Sequence, residues 1–381
     1  MDEFTRIPCV IMRGGTSKGI FIKENHLPKQ KAARDEMILA IFGSPDIRQI
    51  DGLGGADPLT SKLAIIAPPS CPGADIDYTF GQVSIQNPVV DYSGNCGNIS
   101  AAVGPFAIDE GMVKPVEPIT TVRIHNVNTG KILIAEVPVT NGRARISGDC
   151  VVDGVSGSGA KIMMDFSDTA GATTGRILPT GNPVDRIKTS KGELDISVVD
   201  VSNTVIFVRA KDLELDGGET PQQVNSNPEM LGYLEEIRAK GAVLAKMAPD
   251  EKTATEKTPA FPMIAFVSPA HDYVDFITGN TIQKENVDFV SRIMFMQVMH
   301  KTYAGTGTAC TGAAAKIKGT IVSEMTDSTD TNIRIGHPAG VIEVEADVTD
   351  GKLIRASLSR TARRIMEGYV YVENKKLTEQ T

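Results

Sequence analysis

A segment near the start of the chain returns in the middle, and that repeat constrains the fold more than any other feature. Residues 16–27 (TSKGIFIKENHL) align with residues 202–213 (SNTVIFVRAKDL). Both read as small polar residues, an apolar strand and a charged turn. Two weaker matches follow in the same order. Residues 63–68 (LAIIAP) resemble 263–269 (MIAFVSP), and 95–98 (NCGN) resemble 309–312 (ACTG). The offset grows from 186 (Thr16 to Ser202) to 200 (Leu63 to Met263) to 214 (Cys96 to Cys310), as insertions in the second copy would produce. Three matches in one order imply a duplication with pseudo-twofold symmetry. Such symmetry places equivalent loops at the interface of the halves, a common position for a small-molecule site.

The rest of the pattern is mixed α/β. β-Branched runs bounded by Gly, Pro, Asn and Asp predict strands at 19–22, 121–124 and 195–208. Helices are predicted at 229–247, 287–300, 98–111 and 311–324. A Gly/Thr/Pro-rich stretch, residues 168–185, reads as the connection between halves. The expected division is 1–185 and 186–381, with the last strand free to cross back.

Charge and cysteine usage narrow the function. A net charge of −8 opposes a general nucleic-acid surface, although an anionic substrate needs only local positive potential. No apolar run reaches a membrane span, and the acidic start Met1-Asp2-Glu3-Phe4 lacks a signal segment, so the expected location is cytoplasmic. Five widely spaced cysteines and five scattered histidines form no metal-ligand spacing, and no metal is expected.

The cysteine segments carry the chemical expectation. Each places Cys96 or Cys310 at a predicted helix start, beside Asn95, Gly97 and Asn98 or Thr311 and Gly312. Unpaired N–H groups there bind carboxylate and lower a thiol pKa. The glycines let a substrate approach the backbone. Lys62 follows a Gly-rich loop and directly precedes an apolar strand, where a desolvated amine can act as a base or stabilise an enolate. Thr16 and Ser17 lie in a Gly-flanked turn suited to holding a carboxylate. His300 is expected at a helix end, either structural or proton-relaying. His337 ranks below it, and Arg360, Arg363 and Arg364 read as strand or turn charges or interface partners rather than catalytic groups. No phosphate loop is present: Ser17-Lys18 is reversed, and Ala160 interrupts the other candidate, residues 154–161.

These segments resemble a known family. The two cysteine motifs look like those of diaminopimelate epimerase-like proteins. Residues 13–19 (RGGTSKG), 51–55 (DGLGG), 60–63 (TSKL), 178–182 (LPTGN), 336–340 (GHPAG), 360–364 (RTARR) and 365–372 (IMEGYVYV) resemble the PrpF and methylitaconate Δ-isomerase branch, over nearly the whole chain. The resemblance implies two lobes, each a curved, mainly antiparallel sheet around a central helix, with the site between them. It implies a cofactor-independent 1,3-allylic proton shift in an unsaturated polycarboxylate, passing through a dienolate. The expected substrate is 3-methylitaconate, with 2-methylaconitate and oxalomesaconate as alternatives. It also implicates Lys62 in proton transfer. Lys62 is then the expected base, Cys96 its partner near the reacting carbon, and Cys310 the opposite wall. A homodimer is a family-level expectation. A non-catalytic carboxylate-binding accessory protein is the rival of another class.

Overall fold

The computed structural model describes residues 3–374. They form two compact units. The first runs to Cys150 and takes in Ser158–Ile162 and the chain from Arg360 onward; the second comprises Val151–Gly157 and Met163–Ser359. Residues 163–185, expected with the first half, belong to the second unit.

The first unit opens on an antiparallel hairpin of Phe4–Gly14 and Ser17–Lys23. Ser17–Lys23 then runs parallel to Lys62–Ala67, which pairs antiparallel with Ile76–Val83. That strand lies parallel to Ile119–Asn126, itself antiparallel to Lys131–Thr140. The final strand, Ala362–Glu373, returns antiparallel to Phe4–Gly14. Inside this sheet sits the helix Gly97–Asp109, buried along nearly its whole length. Small residues make that enclosure feasible. A Cβ on Gly104 would come within 2.7 Å of Val137 Cγ2, so glycine permits the helix to seat closely.

The second unit repeats the same pairing sequence. Gly192–Val201 and Asn203–Arg209 form the hairpin. Asn203–Arg209 runs parallel to Met263–Pro269, which is antiparallel to Phe289–Phe295. Phe289–Phe295 lies parallel to Asn332–His337, and that strand is antiparallel to Gly340–Thr349. Its buried helix is Gly305–Lys316. The two 12-residue repeats are thus matching strands, each followed by a 3-10 turn, Glu24–His26 or Ala210–Leu213. Strand register makes the equivalence exact to the residue. Gly19 faces Lys62 as Val205 faces Met263. Lys62 therefore corresponds to Met263, one residue from the alignment drawn on sequence alone.

Two expected helices require correction. Residues 287–300 are not helical: Phe289–Phe295 is a strand, turning back into Val298–Met299. The turn uses Met296 (φ 53°) and Gln297 (φ 61°), so no glycine announces it. Every residue of Phe289–Phe295 is buried, which removes the alternation that marks a strand. His300 accordingly follows a hairpin rather than ending a helix. The helix expected at 311–324 instead begins at Gly305 and ends at Lys316. Gly305 and Gly307 suggest a loop, but a Cβ on Gly307 would meet Ile293 Cδ1 at 2.6 Å, so this glycine serves packing. Among the described residues, no helix is long and apolar enough to cross a membrane.

Candidate functional site

The site in the first unit is built where three chain segments converge: the hairpin turn 13–17, the start of the central helix, and Arg360 ahead of the final strand. Cys96 is the N-cap residue of Gly97–Asp109, and its own backbone is extended. A thiol there meets the positive end of the helix. The chain is bound around it. Ser100 Oγ donates to Cys96 O at 2.9 Å and to Asn95 Oδ1 at 3.1 Å.

Lys62 reaches Cys96 from the neighbouring strand. It is 2% exposed. Its ammonium donates to Gln82 Oε1 at 2.9 Å and to the Cys96 sulfur. Gln82 faces Lys62 in the antiparallel register. The Gln82 amide nitrogen donates to Ser61 O (3.1 Å) and Pro58 O (3.2 Å), which fixes the oxygen toward the amine. Burial lowers the Lys62 pKa from the ordinary lysine value, while Cys96 and Asp57 oppose that shift. The result is an amine closer to neutrality than a solvated lysine, held against a thiol. Tyr78 is buried nearby, and burial with the Cys96 charge pushes its phenol well above the ordinary range. It stays a neutral phenol at physiological pH.

The hairpin turn completes the group. Asn98 Nδ2 donates to Thr16 Oγ1 at 3.1 Å. Asn98 Oδ1 accepts from Arg360 Nε at 3.0 Å. Gly15 stands between them at φ 48°, where an added Cβ would lie 2.3 Å from Asn98 Oδ1 and 2.9 Å from Arg360 Cδ. Only glycine fits that turn. Beside it, Ser17 Oγ is fully enclosed and has no hydrogen-bond partner among the described residues. A buried hydroxyl left unpaired costs about 1–3 kcal/mol, which a bound polar group would offset. Arg360 is 2% exposed, and burial pulls its guanidinium down to about 10 against the nearby Cys150 and Cys96. It remains cationic at neutral pH.

Six expected residues thus gather in one unit: Thr16, Ser17, Lys62, Asn95, Cys96 and Asn98, with Gly97 as the first helical residue. Gln82 and Arg360 join them without having been singled out for this role. Gln82 carries no sequence signal beyond its place opposite Lys62. The burial of Arg360 depends on a return of 262 residues to Asn98.

The second unit lacks this arrangement. The counterpart of Gly97 is Gly305, so the counterpart of Cys96 is Ala304. Lys62 and Gln82 are matched by Met263 and Phe295. The hairpin tie survives with its roles exchanged, since Asn203 Nδ2 donates to Thr306 Oγ1 at 2.7 Å. Cys310, placed by sequence at a helix start, lies five residues inside the helix, fully buried, and donates to Val199 O at 3.3 Å. Burial pushes its thiol far up. Thr311 bonds Tyr303 OH at 3.0 Å, and Gly312 serves close packing against Val344. Neither lies at a helix start. His300 is 4% exposed, and its Nδ1 accepts the Thr302 backbone N–H at 3.1 Å, which leaves its proton on Nε2.

Cys310→Ala retains kcat/KM within about twofold of the parent and loses about 1 kcal/mol of stability from lost packing and one weak bond. Steady-state assays with thermal melts of the variant test this. A hundredfold loss of kcat without unfolding would place Cys310 in the chemistry.

Residues 4–373 match the PrpF protein family model. The chain is 65% identical to the 3-methylitaconate isomerase of Eubacterium barkeri, covering 99% of this chain and 100% of that one. It is 38% identical to the 2-methyl-aconitate isomerase of Shewanella oneidensis, covering 96% and 97%. A crystal structure of methylitaconate-delta-isomerase superposes with a TM-score of 0.82 at 65% identity, covering 100% of this chain and 99% of that one.

Proposed function

The chain belongs to the PrpF family and is an isomerase of that family, and we propose that it converts 3-methylitaconate to 2,3-dimethylmaleate by a 1,3-proton shift. The observation that carries this reading is the buried Lys62, desolvated and in contact with Cys96 at a helix start, in the first unit alone.

Neutral Lys62 takes the proton from the carbon that bears the methyl group and a carboxylate. The electron pair moves into that carboxylate as an enediolate, conjugated with the methylene double bond. The far CH₂ is then the nucleophilic end of the dienolate. It receives a proton and becomes the second methyl group, while the double bond settles between the two substituted carbons. Lys62, now an ammonium, supplies that proton, so one group acts as base and then as acid. Cys96 stays beside the amine and favours its charged form when the proton arrives. The N–H groups at the helix start and the Ser17 hydroxyl face developing negative charge.

A racemising site needs an acid and a base on opposite faces of one carbon. The shift proposed here joins two carbons and needs one. The apolar Met263 and Ala304, at the positions matching Lys62 and Cys96, agree with a single acid–base centre. The substrate assignment follows the 65% identity to the Eubacterium barkeri enzyme. Steady-state assays with 3-methylitaconate, 2-methylaconitate and oxalomesaconate test it. The expected result is the highest kcat/KM for 3-methylitaconate by at least tenfold. A preference for 2-methylaconitate would overturn the substrate, and folded protein inert toward all three would favour a non-catalytic carboxylate-binding role.

A further inference from the structure

The motif at residues 51–55 (DGLGG) has no place in the site described above, yet its glycines lead to Lys62. The segment folds back over Gln49, which is 1% exposed. A Cβ on Gly54 would lie 2.3 Å from Gln49 Oε1, and one on Gly55 would lie 2.1 Å from Thr60 Oγ1, so a side chain at either would displace Gln49 or Thr60. Gln49 is itself fixed. Its Oε1 accepts from the Ala56 backbone N–H at 2.8 Å and from Ser61 Oγ at 2.7 Å, and its Nε2 donates to Ser44 Oγ at 2.9 Å. It therefore pins both ends of the loop 56–61, whose carbonyls receive a second buried glutamine, Gln82. Gln82 Nε2 donates to Pro58 O at 3.2 Å and to Ser61 O at 3.1 Å, and its Oε1 accepts from the Lys62 amine at 2.9 Å.

Two amides thus stand in series behind one amine. An amide oxygen accepts and cannot donate. With Gln82 Nε2 committed to two carbonyls, a flip would set its oxygen against them, so Oε1 stays toward Lys62. It accepts an N–H from an ammonium and from a neutral amine alike, so the contact persists while Lys62 loses and regains a proton. We propose that Gln82 and Gln49 are positioning residues for the proton shift: Gln82 holds the Lys62 nitrogen in place in both its states, and Gln49, under the 51–55 segment, holds the loop that orients Gln82. This rests on the proton-shift reading above and adds to it the residues that fix the base. The gain is in rate, because a misplacement of about 1 Å can cost about 10². The second unit has the apolar pair Met263 and Phe295 at the positions of Lys62 and Gln82, so amide and amine occur together or not at all.

The test is a double-mutant cycle read by pH–rate profiles with 3-methylitaconate. Cys96 and Asp57 are the titratable groups that act on Lys62, and both stay in place in every variant. Gln82→Met keeps the volume and removes the acceptor. Its plateau kcat is expected to fall by about 10–10², with KM within about threefold. The acid limb moves to lower pH, because the ammonium has lost a stabilising acceptor. Gln49→Met gives a smaller loss with the limb moved the same way. The double variant loses little beyond Gln82→Met alone, since both act through one contact. Gly54→Ala adds a single methyl over Gln49, gives a milder form of the Gln49→Met result, and serves if a buried methionine prevents folding. Thermal melts identify the variants that fold; loss of folded protein lowers kcat but does not move the limb. Folded Gln82→Met with wild-type kcat and an unmoved limb would overturn the proposal and leave the proton shift standing. Losses that multiply in full in the double variant would overturn it as well. Wild-type protein inert toward all three acids would instead remove the proton-shift reading, and the proposal with it.

Discussion

Lys62→Met abolishes isomerisation, with kcat lowered by about 10³ or more, while the protein folds. The substitution copies what the second unit already carries, since Met263 fills the equivalent position there. A methionine fits the volume without the charge. Removal of a general base or acid costs about 10²–10⁴ in rate, and here one group serves both steps. The pH behaviour carries a sign. The wild-type rate rises with pH as Lys62 loses its proton, and burial places that rise below the range of a solvated lysine. Stability gives an independent readout. The folded pKa of Lys62 is depressed, so the unfolded chain binds the proton more tightly. Wild-type stability therefore rises with pH between the lowered value and the ordinary lysine value of about 10.4, and below that window the burial penalty is fully present. Lys62→Met lacks this slope. Denaturant melts of both proteins from neutral to alkaline pH should show the difference, wild type minus variant, growing with pH. A flat difference would mean that Lys62 is not buried as a charge.

Cys96→Ala lowers kcat by about 10² and moves the acid limb of the rate profile to lower pH. The reason is the direction of its influence on Lys62. The Cys96 sulfur holds the lysine pKa up, by charge and by hydrogen bond, against the effect of burial. Without it, Lys62 becomes neutral at lower pH, but its conjugate acid loses a stabilising partner. Cys96→Ser keeps a hydrogen-bond acceptor and falls between wild type and Cys96→Ala. A structural thiol would not shift the limb. Wild-type kcat and an unmoved limb in Cys96→Ala would remove Cys96 from the mechanism. Together with the mild outcome expected for Cys310→Ala, this separates the two cysteines that sequence motifs present as a pair.

Much of this architecture was legible in the sequence, for physical reasons. The repeat at 16–27 and 202–213 survives because each copy must be the same strand beside the same parallel partner. The start of the central helix at Cys96 was legible because small residues follow it at once, where the helix must pack inside a sheet. Lys62 stood out as a charge at the head of an apolar run, and it opens the strand Lys62–Ala67. The errors came where burial on every side erases periodicity. Phe289–Phe295 has no polar face, and its hairpin turn uses Met296 and Gln297 with positive φ. The glycines at 305 and 307 serve close packing yet read as a loop, which moved the second helix six residues too late and placed Cys310 at its start. Gln82 and Arg360 were hidden for another reason. Their roles arise from register across the sheet and from the return of the last strand, and neither is a local property of the chain.

In the proposed reaction one acid–base group, Lys62, acts at both carbons. The most direct test uses 3-methylitaconate with deuterium on the carbon that loses its proton, in ordinary water. The label appears first on the Lys62 ammonium, where it mixes with two other protons. The wild-type protein should convert the acid and place deuterium in the new methyl group in up to about one third of the product. Lys62→Met should convert none. Conversion by Lys62→Met at the wild-type rate, or no conversion by the folded wild-type protein, would contradict the account.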